Sequence, residues 1–131
     1  MKCIVVTPDK TVLDVEASFV ALPLVDGEIG IGPKHTPIIG RLGYGELRIK
    51  SGSDTKAYYV ESGFVEVLND VVTLLTDSAI EASDIDLDSS QQVLTEALAK
   101  PAHNEALTTL KEQSVAAARA QRRIAQKRAL Q

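Results

Sequence analysis

All eight glycines of this 131-residue chain lie between Gly27 and Gly63, and all five aromatic residues, Phe19, Tyr44, Tyr58, Tyr59 and Phe64, precede residue 65. Glycine supplies the positive φ angles and close backbone approaches of tight connections. The first part of the chain is therefore rich in short turns, whereas the remainder, with no glycine and no ring, is built by other means. Two materials follow one another, and the length suits one medium domain or one small domain with an appendage.

Up to about residue 83 the hydrophobic period is two. Leu13, Val15, Ala17 and Phe19 alternate with Asp14, Glu16 and Ser18, and Glu46-Leu47-Arg48-Ile49-Lys50 alternates in the same way, as half-buried strands do. Turn signals separate these runs: Pro8-Asp9, Asp26-Gly27, Gly32-Pro33, Gly43-Tyr44-Gly45, Gly52-Ser53 and Asn69-Asp70. Strands are expected over 2–7, 12–22, 28–31, 38–42, 46–50, 55–60, 64–68 and 71–76, the second long enough to bend into two. Many short strands at close spacing predict an antiparallel sandwich or barrel over residues 1–83.

From residue 84 to 131 the signals are helical. Asp86 and Asp88 both stand where a helix cap belongs, and the spacing leaves the choice between them open. Leu87, Leu94 and Leu98 then form an amphipathic stripe that ends before Pro101. Asn104 caps a second helix whose sparse inner stripe is Leu107, Leu110, Ser114, Ala117, Gln121 and Ile124. The connection over residues 100–104 makes the two helices antiparallel neighbours. If helical over 105–129, the second is ~37 Å long and the first, over 87–99, only ~20 Å, so roughly half of the longer one overhangs. A hairpin this small has too few large apolar side chains for a self-sufficient core and needs a docking surface.

Charge is divided along the hairpin. Residues 84–105 carry five acids and one base, 1 − 5 = −4, while residues 111–131 carry six bases against Glu112, 6 − 1 = +5. The overall charge of −4 conceals this. Basic residues near a helix C-terminus oppose the macrodipole, but six exceed what that requires and point to an acidic partner surface. No aromatics are interleaved with them, so nucleic acid is not the expected partner.

Other classes are excluded by pattern. The longest uncharged stretch, residues 17–25, has nine residues, far short of the ~20 apolar residues of a spanning helix. Strand-like sequence follows Met1 directly, so neither a signal peptide nor a transit segment is expected. Cys3 is the only cysteine and reads as a buried strand residue in a reducing compartment. Gly27-Glu28-Ile29-Gly30-Ile31-Gly32 is followed by Pro33 and lacks the Lys and helix of a phosphate loop. His35 and His103 have no partner at a metal-ligand spacing, Ser62-Gly63 lacks a nucleophile elbow, and no catalytic residue or metal site is expected.

Several stretches, in order, resemble the epsilon subunit of F-type ATP synthases, the bacterial and chloroplast counterpart of the mitochondrial delta subunit. They are Val5-Val6-Thr7-Pro8-Asp9-Lys10-Thr11-Val12, Gly27-Glu28-Ile29-Gly30-Ile31-Gly32-Pro33-Lys34-His35-Thr36-Pro37, Gly45-Glu46-Leu47-Arg48-Ile49, Ser62-Gly63-Phe64-Val65-Glu66-Val67, and Leu75-Thr76-Asp77-Ser78-Ala79 leading into Asp84-Ile85-Asp86. The resemblance implies a β-sandwich of about ten antiparallel strands followed by a two-helix hairpin. It implies a non-catalytic central-stalk rotor subunit at the cytoplasmic face of a bacterial membrane, or the stromal face of a thylakoid, peripheral and without membrane insertion. The sandwich would meet the membrane rotor ring through Glu28 and Gly30, and the gamma subunit near His35 and Pro37. The hairpin would restrain ATP hydrolysis, with Arg119, Arg122, Arg123 and Arg128 meeting an acidic region of the catalytic beta subunits.

Some members of that family bind ATP through an Ile/Leu-Asp-x-x-Arg-Ala motif and second-helix arginines. The corresponding positions are Ile85, Asp86, Arg119 and Arg123, but Ser89 and Ser90 replace the motif arginine and alanine, and Asp88 adds negative charge. A phosphate ligand loses its main cation, so weak or absent ATP binding and no cofactor are expected. The alternative from another class is a stand-alone β-sandwich adaptor that grips an acidic protein through its basic helix.

Overall fold

The computed structural model describes residues 1–129 and divides into two compact units, Met1–Ile80 and Glu81–Gln131. The first holds eight strands: β1 Lys2–Val6, β2 Thr11–Glu16, β3 Phe19–Leu24, β4 Gly27–Ile31, β5 Ile38–Arg41, β6 Tyr44–Ser51, β7 Asp54–Leu68 and β8 Val71–Glu81. Hydrogen bonding joins them in the order β2-β1-β8-β7-β6-β3-β4, with β5 added to β7.

The eight segments expected from the residues become eight strands through one split and one fusion, close to the roughly ten that the resemblance implies. The expected 12–22 run breaks after Glu16, where Ala17 N–H donates to Met1 O and Ser18 N–H donates to Lys50 O. The expected 55–60 and 64–68 strands are one 15-residue strand, β7. The sheet is also mixed rather than wholly antiparallel, because β1 runs parallel to β8 with Cys3 beside Val72 and Val5 beside Leu74. All four of these side chains are buried. A strand whose alternate residues fill a core is held by that burial in either direction, and period-two patterning does not encode the direction.

Strand β7 is the strand on which the layers turn. From Asp54 to Glu61 it pairs with β6, and from Phe64 to Val67 it pairs with β5. Between the two stretches Ser62 and Gly63 have φ of 59° and 108°. The carbonyl oxygen of Leu75 stands where a Cβ on residue 63 would lie. Thr76, buried on β8, accepts from Glu61 N–H at 3.2 Å, while its hydroxyl faces the carbonyls of Glu61 and Ser78, each at 3.0 Å. Leu42 N–H donates to Gly63 O at 2.9 Å and Ser62 N–H to Gly43 O at 3.2 Å. The Glu61 N–H and carbonyl, the Ser62 N–H and the Gly63 carbonyl are thus partnered from β8 or from the β5–β6 connection. Inward residues of both halves, Val60, Val65 and Val67, join Val20, Leu47 and Leu74 in one core.

The second unit takes in the last residue of β8, Glu81, followed by a short 3-10 turn, Ala82–Asp84, then α1, Leu87–Leu98, and α2, Glu105–Ala129. Asp86 is the α1 cap: its carboxylate accepts from Ser89 N–H at 2.9 Å and from Ser89 Oγ at 3.0 Å. Those two bonds hold the Asp86 carboxyl below its ordinary pKa of 3.8. Asn104 caps α2 by accepting from Leu107 N–H at 2.9 Å. The helices pack on each other, and Lys100 Nζ reaches Ser114 Oγ at 3.0 Å. Leu94 and Ile124 are buried as expected, but Leu98 and Leu110 are exposed.

Replacing Gly63 by alanine is expected to destabilise the protein by about 3 kcal/mol, since it adds both a left-handed non-glycine residue and a clash with backbone. Gly32→Ala, where a Cβ meets nothing within 4 Å, should change stability by less than about 1 kcal/mol in the same urea titration.

The Asp86 cap has a depressed folded-state pKa, so its stabilisation is complete above the unfolded value and disappears as pH falls through the folded one. Hydrogen exchange at the Ser89 amide, corrected for intrinsic rate, should therefore accelerate below pH 3.8. Asp86→Asn, which caps without titrating, should abolish that acceleration, and Asp86→Ala should exchange fast at every pH.

Candidate functional site

Glu28 lies on β4, an edge strand, opposite Pro23 of β3. Its carboxylate accepts from Arg48 of β6 at 2.7 Å, and the same guanidinium donates to Glu46 at 3.1 Å. One cation thus faces two carboxylates. The Arg48 pKa is raised chiefly by the hydrogen bond to Glu46, against a lowering effect of burial, with Glu28 adding to the rise. Gly30 plays a packing part beside it: a Cβ there would come within 2.7 Å of the Phe19 ring. Lys50 Nζ sits 6.0 Å from the centre of that ring.

His35 and Pro37 lie in the loop between β4 and β5. His35 Nδ1 is 2.7 Å from Thr36 O and donates to it. Lys34, with φ of 61°, donates its N–H to Asp70 Oδ1 at 2.8 Å, which ties the loop to the β7–β8 turn and holds the Asp70 carboxyl below its ordinary pKa. The loop is therefore a fixed feature of the surface. It borders the face on which β5, β7 and β8 turn their non-core side chains outward.

That face is the main feature sequence reasoning missed. Ile39 is 78% exposed, Phe64 53% and Leu75 54%, and Leu68 is exposed as well. Shallow depressions run across it, lined by Ile39, Phe64, Glu66, Thr73 and Leu75 and, towards the loop, by Pro37 and Leu68. A signal for it exists in the sequence: Ile38-Ile39, Phe64-Val65 and Leu74-Leu75 are apolar doublets. The doublets place large apolar groups on both faces of strands whose alternation otherwise gives one wet face.

On α2, Arg119, Arg122 and Arg123 fall within about 100° of arc, at about 100° of rotation per residue. Arg119 and Arg123 are exposed, and Arg122 is half-buried, with its Nε enclosed and lacking a hydrogen-bond partner among the described residues. Arg128 is not part of that stripe, being about 180° from Arg119 by the same rotation. Ile85 ends the 3-10 turn, its N–H donating to Ala82 O at 3.2 Å. Asp86 is occupied as the α1 cap, and no hydrogen bond or ion pair joins it to Arg119 or Arg123 among the described residues.

Among the described residues no group of three or more His, Cys, Asp or Glu side chains could hold a metal ion. Burial pushes the Cys3 thiol up to about 12, which suppresses the thiolate. No described helix is long and apolar enough to cross a membrane. The surfaces suit recognition: an acidic edge, an apolar face and a basic stripe.

The sequence model of the ATP synthase delta/epsilon chain, beta-sandwich domain, matches residues 1–82. An ATP synthase epsilon chain of Rhodopirellula baltica is 45% identical over 123 residues, 94% of this chain and 96% of that one. Another, of Delftia acidovorans, is 38% identical over 122 residues, covering 92% and 83% respectively. A chain in the cryo-EM structure of the Euglena gracilis mitochondrial ATP synthase, with OSCP, F1 and c-ring, superposes with a TM-score of 0.82 at 23% identity, covering 98% of this chain and 80% of that one. That likeness concerns the fold, a sandwich followed by two helices. On the domain match and on 45% identity along nearly the whole length, the chain belongs to the delta/epsilon chain family of ATP synthases, as a non-catalytic subunit.

Proposed function

We propose that this protein is a central-stalk rotor subunit of a proton-translocating F-type ATP synthase. It binds the gamma subunit and the membrane rotor ring, helps couple proton flow to ATP synthesis, and restrains ATP hydrolysis through its hairpin. The observation that carries this reading is the outward apolar face of Ile39, Phe64, Leu68 and Leu75. A contiguous apolar area of this kind on a compact β unit marks a surface made to be covered, and it adjoins the loop with His35 and Pro37 assigned to the stalk.

The remaining surfaces take complementary parts. The Glu28–Arg48–Glu46 edge faces the ring, where a net negative charge suits basic polar loops. The Arg119, Arg122 and Arg123 stripe suits the acidic region of the catalytic subunits, in keeping with the positive charge of residues 111–131. Residues 1–83 act as the anchor and residues 84–131 as the regulatory arm. The complex works at the cytoplasmic face of a bacterial membrane or its thylakoid equivalent.

ATP is not a regulatory ligand of this arm. Asp86 is bonded to Ser89, Asp88 stands in the first turn of α1, and no arginine occupies position 89. A polyphosphate there meets two carboxylates before it meets a cation.

A reconstituted synthase whose epsilon chain ends at residue 83 should assemble and make ATP while hydrolysing ATP faster than the parent complex. Loss of assembly on that truncation would refute the division between anchor and arm. Calorimetric titration of the full chain should show no ATP binding at micromolar nucleotide, whereas a micromolar Kd would overturn the assignment of the α1 start.

A further inference from the structure

One carboxylate stands within the apolar face. Glu66 lies directly across from Ile39 of β5, with Phe64 and Leu68 two residues away on the same side of β7. Thr73 and Leu75 of β8 line the same depression. Glu66 is exposed and makes no hydrogen bond or ion pair among the described residues. Arg41, across from Phe64 at the margin of the face, forms no ion pair with it. Val65 and Val67, the neighbours of Glu66 in sequence, point into the core, so its orientation is fixed by the pleat.

Resting on the stalk-subunit reading above, we infer that Glu66 is the specificity-determining residue of this face. The segment of the gamma subunit seated there carries one Lys or Arg flanked by apolar side chains. While the face is free, water solvates the carboxylate at no cost. Covering Ile39, Phe64 and Leu75 strips that water, and a carboxylate buried without a cation is strongly unfavourable. A partner with apolar groups alone is thus rejected, and one with a cation in register is accepted. The same charge opposes association of two copies face to face, since each would bring a carboxylate to the other.

The test uses the full chain titrated into the F1 complex of its own source from which this subunit has been removed, at several salt concentrations. Glu66→Gln should bind about a hundredfold more weakly and with a flatter salt dependence, and Glu66→Lys should not bind measurably. Phe64→Ala should bind about thirtyfold more weakly while keeping the parent's salt dependence. Both positions are surface sites, and melting temperatures matching the parent's verify the fold of all three variants. If Glu66→Gln binds as well as the parent while Phe64→Ala is impaired, the face docks without a cation and the inference about Glu66 fails, the stalk reading standing. Weakening by Glu66→Gln with an unchanged salt slope also overturns it, because the lost contact was then not ionic. If no variant changes affinity, the face is not the stalk surface and both readings fail.

Discussion

The approach of the Leu75 carbonyl to the bare α-carbon of Gly63 is the contact on which the rest of the sandwich depends. It lets β7 bend while staying against β8, so that a single strand serves β6 along its first half and β5 along its second. Without that bend the two stretches would lie in one plane, and Val60 could not share a core with Val65 and Val67. The bend also decides what faces outward. Once Val65 and Val67 point in, the pleat sends Phe64, Glu66 and Leu68 out. The exposed apolar face is the reverse side of the constraint that closes the core.

The hairpin is held by weaker and more local means. Its helices are fixed at their starts by Asp86 and Asn104. Ala118, Ala120 and Ala125 are buried in α2, where Ile124 is the only large apolar side chain to join them. Alanine contributes high helix propensity and permits close approach but buries little area. Such a helix owes its form to its own backbone and caps more than to a packed core, so it can remain helical when its surroundings change.

Much of this was legible in the sequence. The helical spans and the Asn104 cap follow from periodicity and cap residues, all local signals. The strand breaks were legible where turn residues had positive φ with two strands hydrogen-bonded across them, as at Asn69 and Asp70. They misled at Ser62-Gly63, where the same residue types make a bulge inside one strand. The parallel β1–β8 pairing was invisible, since the partners are some seventy residues apart and alternation carries no direction. The Glu28–Arg48 bond is hidden for a related reason: it crosses β3, and only the fold brings positions 28 and 48 together. The apolar face was written in doublets such as Leu74-Leu75, but a doublet can also mark a strand buried on both sides.

The distribution of charge also distinguishes the two units. On the sandwich the cations near the acidic edge are already engaged, Arg48 with two carboxylates at 2.7 and 3.1 Å. Its charge pattern is locked to rigid strands and changes only if the sheet does. On α2, Arg119 and Arg123 are exposed, and an exposed arginine gives up little when it exchanges water for a carboxylate or the reverse. Contacts made through that stripe are therefore reversible at modest free-energy cost, while an interface formed by covering Ile39, Phe64 and Leu75 gains from every apolar group removed from water and is released with difficulty. Covering the apolar face and pairing the exposed arginines thus stand at opposite ends of the same ordering of energies.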